Sequence, residues 1–192
     1  MTIKPFKVEE WMNQYEVGAK YNIAETCVDS ISLEELWQIT GIDGNAFWAD
    51  FCKKRLTYGD IEGNPRFLEG ICRLYRSIGP ENIVPTHGAA GANHHVFYSL
   101  INPGDRIVSI MPTYQQLYSI PESFHADVAL VRLTRENGYL PDLETIRRLA
   151  TPGTKMICIN NPNNPTGAVK SNEMMHEIVK IAADIDAYVL CD

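Results

Sequence analysis

The sequence predicts an α/β fold built on a largely parallel sheet. Two observations carry this. Apolar runs of strand length (106–111, 127–133, 155–160 and 187–191) alternate with stretches of helical periodicity. Each passage between them is marked by Gly, Pro, Asn or Asp, as in the turn Asn102-Pro-Gly-Asp105.

Taken in order, Glu9 to Tyr15 reads as a short amphipathic helix. Ser32-Leu-Glu-Glu35 has capping-box spacing, so a helix starts at Ser32 and ends near Gly41. Residues 45–55 read as another helix, followed by the turn-rich Tyr58-Gly-Asp-Ile-Glu-Gly63. Asn64-Pro65 is an N-cap with Pro at the first helical position. The helix it opens carries Phe67, Leu68, Ile71, Leu74 and Tyr75 at helical spacing and is expected to run to Gly79. Asn82 to Thr86 reads as a short strand. Beyond it come a helix from Gly88 to Ile101, a strand from Arg106 to Met111 and a helix from Tyr114 to Phe124. A strand over Asp127 to Leu133 and a helix from Asp142 to Ala150 follow. Lys155 to Asn160 is a strand, Ser171 to Ile185 a long helix, and Ala187 to Cys191 a buried strand.

Composition excludes several classes. The chain has 192 residues, 17 basic and 24 acidic side chains, and a formal charge of −7. Hydrophobic residues make up 45% and charged residues 21%, which is a folding composition rather than a disordered one. The acidic balance argues against a nucleic-acid partner. The sequence holds no apolar run long enough to span a bilayer, and its first ten residues show no secretory h-region. The cysteines (Cys27, Cys52, Cys72, Cys158 and Cys191) are scattered and form no CxxC, so neither a disulfide framework nor a metal site is expected. A reducing cytoplasm fits. The final apolar strand stops at Asp192. The chain is therefore expected to be the front of a longer protein, with a complete domain ending in an edge strand as the alternative.

Parallel α/β sheets bind ligands at the carboxyl ends of their strands. Three loops fall at such ends. Thr86-His-Gly-Ala-Ala-Gly-Ala92 is either a backbone cradle for an anion at a helix start or a site of tight strand–helix packing. It lacks both the P-loop Lys-Ser/Thr pair and GxGxxG spacing. Tyr114, in Pro112-Thr-Tyr114, either lies on a planar ligand or packs in the core. The Asn amides of Asn160 to Gly167 either satisfy local backbone groups or face a ligand. Asp192 is a carboxylate at a strand end, costly unless paired and otherwise a solvated residue. His94 and His95, adjacent on a helix, do not share a face and are taken as structural.

In order and spacing these pieces resemble one family. Tyr58 with Gly63-Asn-Pro-Arg66, the 86–92 loop, Pro103-Gly-Asp105, Pro112-Thr-Tyr114, Asn161-Pro-Asn-Asn-Pro-Thr-Gly167 and Leu190-Cys-Asp192 are similar to the class I/II aminotransferases. These are pyridoxal-5′-phosphate (PLP) enzymes of fold type I. The first 45 residues match least distinctively. The resemblance implies a three-layer α/β/α, aspartate aminotransferase-like large domain, incomplete at its C-terminus. Residues 1–45 would be an N-terminal arm and part of a small domain, and 46–192 the front half of the PLP-binding domain. It implies that backbone N–H groups of Ala89 and Ala90 hold the PLP phosphate. Other members often carry a hydroxyl or amide side chain there, whereas two alanines leave backbone donors alone. Tyr114 would stack on the pyridine ring, Asn164 donate to its phenolic oxygen, and Asp192 pair with its nitrogen. Tyr58 would reach across a homodimer to the neighbour's phosphate.

The implied function is transfer of an amino group between an amino acid and a 2-oxo acid. The family's Schiff-base lysine falls beyond the Asp192 position. Lys155, Lys170 and Lys180 do not match it, so residues 1–192 alone are expected to be inactive. Two alternatives use the same residues: a C–S β-lyase, and an arginine-derivative cyclase or oxidase of the capreomycidine synthase type. A third is an inactive truncated product or a non-catalytic PLP-fold module.

Overall fold

Residues on β1 (Arg106–Met111) and β3 (Thr154–Ile159) alternate between two separate apolar clusters, and this alternation builds the fold. A computed structural model describes residues 2–24 and 27–192. Val108, Ile110, Ile157 and Ile159 point to one side, against Ile146 of α7 (Leu143–Leu149) and Ile178, Ile181 and Ala182 of α8 (Asn172–Asp184). Ile107, Met156 and Cys158 point to the other, against Phe97 of α5 (Gly88–Leu100) and Leu117 and Ile120 of α6 (Gln116–Ser123). Helices therefore cover both faces, which is the burial that parallel strands require.

The sheet has the order β2-β1-β3-β4, with β2 at Asp127–Arg132 and β4 at Tyr188–Cys191, and every pair is parallel. Chain direction sets the switch point. From β1 the chain passes through α6 to β2 on one side, and from β3 it passes through α8 to β4 on the other. The loops after the adjacent strands β1 and β3 thus diverge, opening the crevice in which such sheets bind ligands.

Local signals behave as the sequence predicts at most element ends. Ser32 and Glu35 form a reciprocal capping box on α2 (Leu33–Thr40). Gly41 ends that helix at φ +69°, a left-handed conformation that Gly adopts without Cβ strain. Asp43 caps α3 (Gly44–Phe51), and Asp142 caps α7 through the Thr145 N–H. Ser171 Oγ accepts the Met174 N–H at 3.2 Å at the start of α8. Ser171→Ala is expected to lower the unfolding free energy of the full-length protein by about 1 kcal/mol, read by urea denaturation. An unchanged midpoint would show that water replaces this cap.

By packing, the chain divides into two units, one of Met1–Thr26 with Thr86–Asp192 and the other of Cys27–Pro85. Four expectations fall short in the second unit and at its edge. The helix expected over 45–55 ends at Phe51. Asn64 stands at the N-cap position of the next helix without a side-chain cap bond. The helix opened by Pro65, α4 (Pro65–Cys72), stops well before Gly79. Only Leu68 of its apolar stripe is buried, while Leu74 and Tyr75 lie exposed, so no packing extends the helix past Cys72. Asn82 to Thr86 is not a strand. Pro80–Asn82 form a 3₁₀ turn, and the extended residues after it pair with no strand among the described residues. Pro85 cannot donate to a ladder, and Val84 is exposed.

In the first unit, the N-terminal segment carries α1 (Lys7–Tyr15) and lies on α6 and the residues before it. Lys4 pairs with Glu122 at 2.6 Å, and Gln115 Nε2 donates to the Pro5 carbonyl at 3.0 Å.

Candidate functional site

Three segments meet at the carboxyl end of the sheet. The first is the start of α5. Gly88 has φ +76°, which turns the chain into the helix where a Cβ-bearing residue would be strained. Ala89 and Ala90 follow in the first turn, exposed. His87, at the N-cap, makes no side-chain hydrogen bond to this turn. The positive end of a 13-residue helix is therefore presented without a side-chain cap.

The second segment follows β1. Tyr114 is half-buried, and its ring makes a T-shaped contact with Phe6, the centroids 5.1 Å apart. Burial raises its hydroxyl pKa, and the charges of Glu9 and Asp192 push in the same direction. Tyr114 thus lies within the field of Asp192.

The third segment follows β3. The β3–β4 ladder continues past β4, since the Asp192 N–H donates to Ile159 O and the Asn161 N–H to Asp192 O, each at 3.0 Å. This fixes the Asp192 side chain beside the loop. Its Oδ2 accepts from Asn160 Nδ2 at 2.6 Å and its Oδ1 from Asn93 Nδ2 at 3.1 Å. Asn160 Oδ1 in turn accepts the Asn164 backbone N–H. Asn163 is buried; its Nδ2 donates to Pro112 O and Thr166 Oγ1, while its Oδ1 finds no partner among the described residues. Asn164 is exposed, and its side chain shows no protein partner among the described residues. The loop thus divides the two roles open to its asparagines: Asn163 holds the backbone, and Asn164 is left to face outward.

The structure therefore brings Asp192, Tyr114, Asn164 and the α5 start carrying Ala89 and Ala90 to one end of one unit. Tyr58 belongs to the other unit, fully exposed in the loop between α3 and α4.

Sequence reading missed Asn93 altogether and gave Asn160 no partner. The signal for Asn93 was present. Asn93, Phe97 and Ile101 recur at every fourth position and are all buried, so one polar residue sits on the apolar stripe of a helix. A buried amide there needs a partner, and Asp192 supplies it.

A sequence profile for the family described as aminotransferase class I and II matches residues 39–192. The chain belongs to the class I and II aminotransferases. Among its relatives, the aspartate/prephenate aminotransferase of Thermus thermophilus is 31% identical over 140 residues, covering 70% of this chain and 36% of that enzyme. A PLP-dependent aminotransferase structure from Streptococcus suis superposes on the whole chain with a TM-score of 0.97 at 49% identity, with 51% of that chain covered. A PLP-dependent cyclase also covers the whole chain with a TM-score of 0.87. At 24% identity that likeness speaks for the fold alone. This aminotransferase chain thus has the aspartate aminotransferase-like fold and spans between about a third and a half of the relatives it matches.

Proposed function

We propose that the full-length protein is a PLP-dependent aminotransferase that moves an amino group from an amino acid to a 2-oxo acid. One observation carries this reading. Asp192 is a half-buried carboxylate held by two neutral amides, and it forms no ion pair among the described residues. The amides fix its direction without neutralising its charge, and a carboxylate has about four acceptor positions, of which they use two. A cationic N–H placed against the two free acceptor positions would complete the site, since a partly buried carboxylate gains from a charge partner.

The other residues fit the same cofactor. The uncapped first turn of α5 offers the Ala89 and Ala90 N–H groups to a phosphate. Tyr114 would supply a ring to stack on the pyridine, and the Asn164 amide, free of protein partners among the described residues, would donate to the phenolic oxygen. Asp192 would accept the pyridine N–H and hold its proton in place. Bound there, PLP supplies an electron sink for charge developing at the substrate α-carbon. The other roles in this half of the site would be positioning: the helix start would orient the phosphate end, Asp192 the nitrogen end and Tyr114 the ring plane.

Residues 1–45 serve as arm and part of a small domain, and 46–192 as the front of the PLP-binding domain. The protein acts as a homodimer in which Tyr58 reaches the neighbour's phosphate. Residues 1–192 alone are inactive. All five cysteines are free thiols, which fits the reducing cytoplasm, and no helix among the described residues is long and apolar enough to cross a membrane.

The test is an absorbance titration of the full-length apoprotein with PLP, followed by amino-acid donors assayed with and without a 2-oxo acid acceptor. Saturable PLP binding and acceptor-dependent turnover are expected. Release of ammonia and pyruvate without an acceptor would replace the transaminase reading by a lyase.

A further inference from the structure

The loop after β3 is closed by a lysine that the proposed chemistry leaves unused. Lys170 is 3% exposed, a position lysine almost never takes without a charge partner. It forms no ion pair among the described residues. Its Nζ donates instead to the Asn160 carbonyl at 2.7 Å, and its backbone N–H donates to Asn161 Oδ1 at 2.9 Å. Both bonds tie the end of the loop to its beginning. Burial lowers the Lys170 pKa, with the nearby Cys191 acting in the opposite sense.

The consequence runs through one peptide plane. The Asn160 carbonyl and the Asn161 N–H belong to the same rigid peptide unit. Lys170 holds the oxygen of that unit, and its N–H donates to Asp192 O at 3.0 Å. The side chain of the same Asn160 donates to Asp192 Oδ2 and accepts the Asn164 N–H. A cation on the carbonyl also polarises the peptide and strengthens its N–H as a donor. A methionine would fill this space without an ammionium to desolvate, so what the lysine adds is orientation.

We propose that Lys170 is a positioning residue: its buried ammonium fixes the 160–161 peptide and, through it and the Asn160 amide, sets the Asp192 carboxylate and the Asn164 backbone. The part concerning Asp192 rests on the cofactor reading above, whereas the closure of the loop does not.

Two measurements on the full-length protein test it. In hydrogen exchange of the apoprotein, Lys170→Met is expected to speed exchange in peptides covering 160–170 and to leave those from β1 unchanged. In PLP titrations, Lys170→Met is expected to weaken binding about tenfold in the wild-type background. In an Asp192→Asn background it is expected to change binding by less than about twofold, because the interaction it supports is already gone. Unchanged exchange overturns the proposal, as does an equal loss of affinity in both backgrounds, which marks a merely structural lysine. If Asp192→Asn alone leaves PLP affinity intact, the cofactor reading fails, and the exchange arm still decides the closure of the loop. Should Lys170→Met not yield folded protein, the wild-type apoprotein carries the test: slow exchange of the Asn164 amide supports the lock, and exchange at an open-loop rate overturns it.

Discussion

Asp192→Asn in the full-length protein is expected to lower kcat/KM for amino transfer by about 10²–10³-fold, the cost of removing a preorganised charge from a reacting centre. Asn keeps the size of the side chain and removes its charge. Asn93 Nδ2 and Asn160 Nδ2 both donate to this carboxylate, one to each oxygen. In the variant one of the two donors faces an NH₂ group instead, so the clasp is broken as well as neutralised. Asp192→Glu keeps the charge and displaces it by a methylene, and it is expected to fall between the wild type and Asp192→Asn. Steady-state kinetics with a fixed donor and acceptor give the ratios. A variant within about threefold of the wild type would remove Asp192 from the chemistry and with it the main support for the cofactor reading.

How far the sequence alone reveals this arrangement depends on where the determining contacts lie. β1 and β3 are legible because they are buried on both faces and read as nearly continuous apolar stretches bounded by turn residues, with Ser109 the one polar residue inside β1. The last strand, expected to be buried, is an edge strand in which only Leu190 is buried. Helix starts are legible because Ser32, Asp43, Asp142 and Ser171 act on backbone within three residues of themselves. The length of α4 is not legible, since periodicity at Leu74 and Tyr75 says nothing about whether a neighbour exists to cover them. The site is half legible. Tyr114, Asn164 and Asp192 stand at strand ends and can be picked out by position. Their holding groups cannot be found that way: Asn93 and Asp192 are 99 residues apart in sequence, and only the crossing of α5 over the sheet joins them. Nothing local in the sequence marks Lys170, because the carbonyl it holds belongs to Asn160, ten residues back across a loop.

That dependence of site on packing yields the second large expectation. Phe97 is fully buried and lies in the cluster of Ile107, Leu117, Met156 and Cys158, where it fastens α5 to the sheet. Phe97→Ala removes most of a large ring from a close-packed core and is expected to cost about 3–5 kcal/mol, against a total stability of about 5–15 kcal/mol for a domain. α5 also bears Ala89 and Ala90 at its start and Asn93 one turn before Phe97. Loosening its seat therefore disturbs the first turn proposed to hold the phosphate and one of the two amides on Asp192 together. Ile178→Ala is the matched comparison. Ile178 is equally buried, in the other cluster, on the opposite face of the sheet. Its loss is expected to cost about 2–5 kcal/mol. Urea denaturation of the full-length apoproteins gives the stabilities, and PLP titration under conditions where both remain folded gives the affinities. Phe97→Ala is expected to lose PLP affinity well beyond Ile178→Ala at comparable stability. Equal affinities would show that α5 keeps its register without its anchor, and that the α5 face of the core supports the fold without tuning the site.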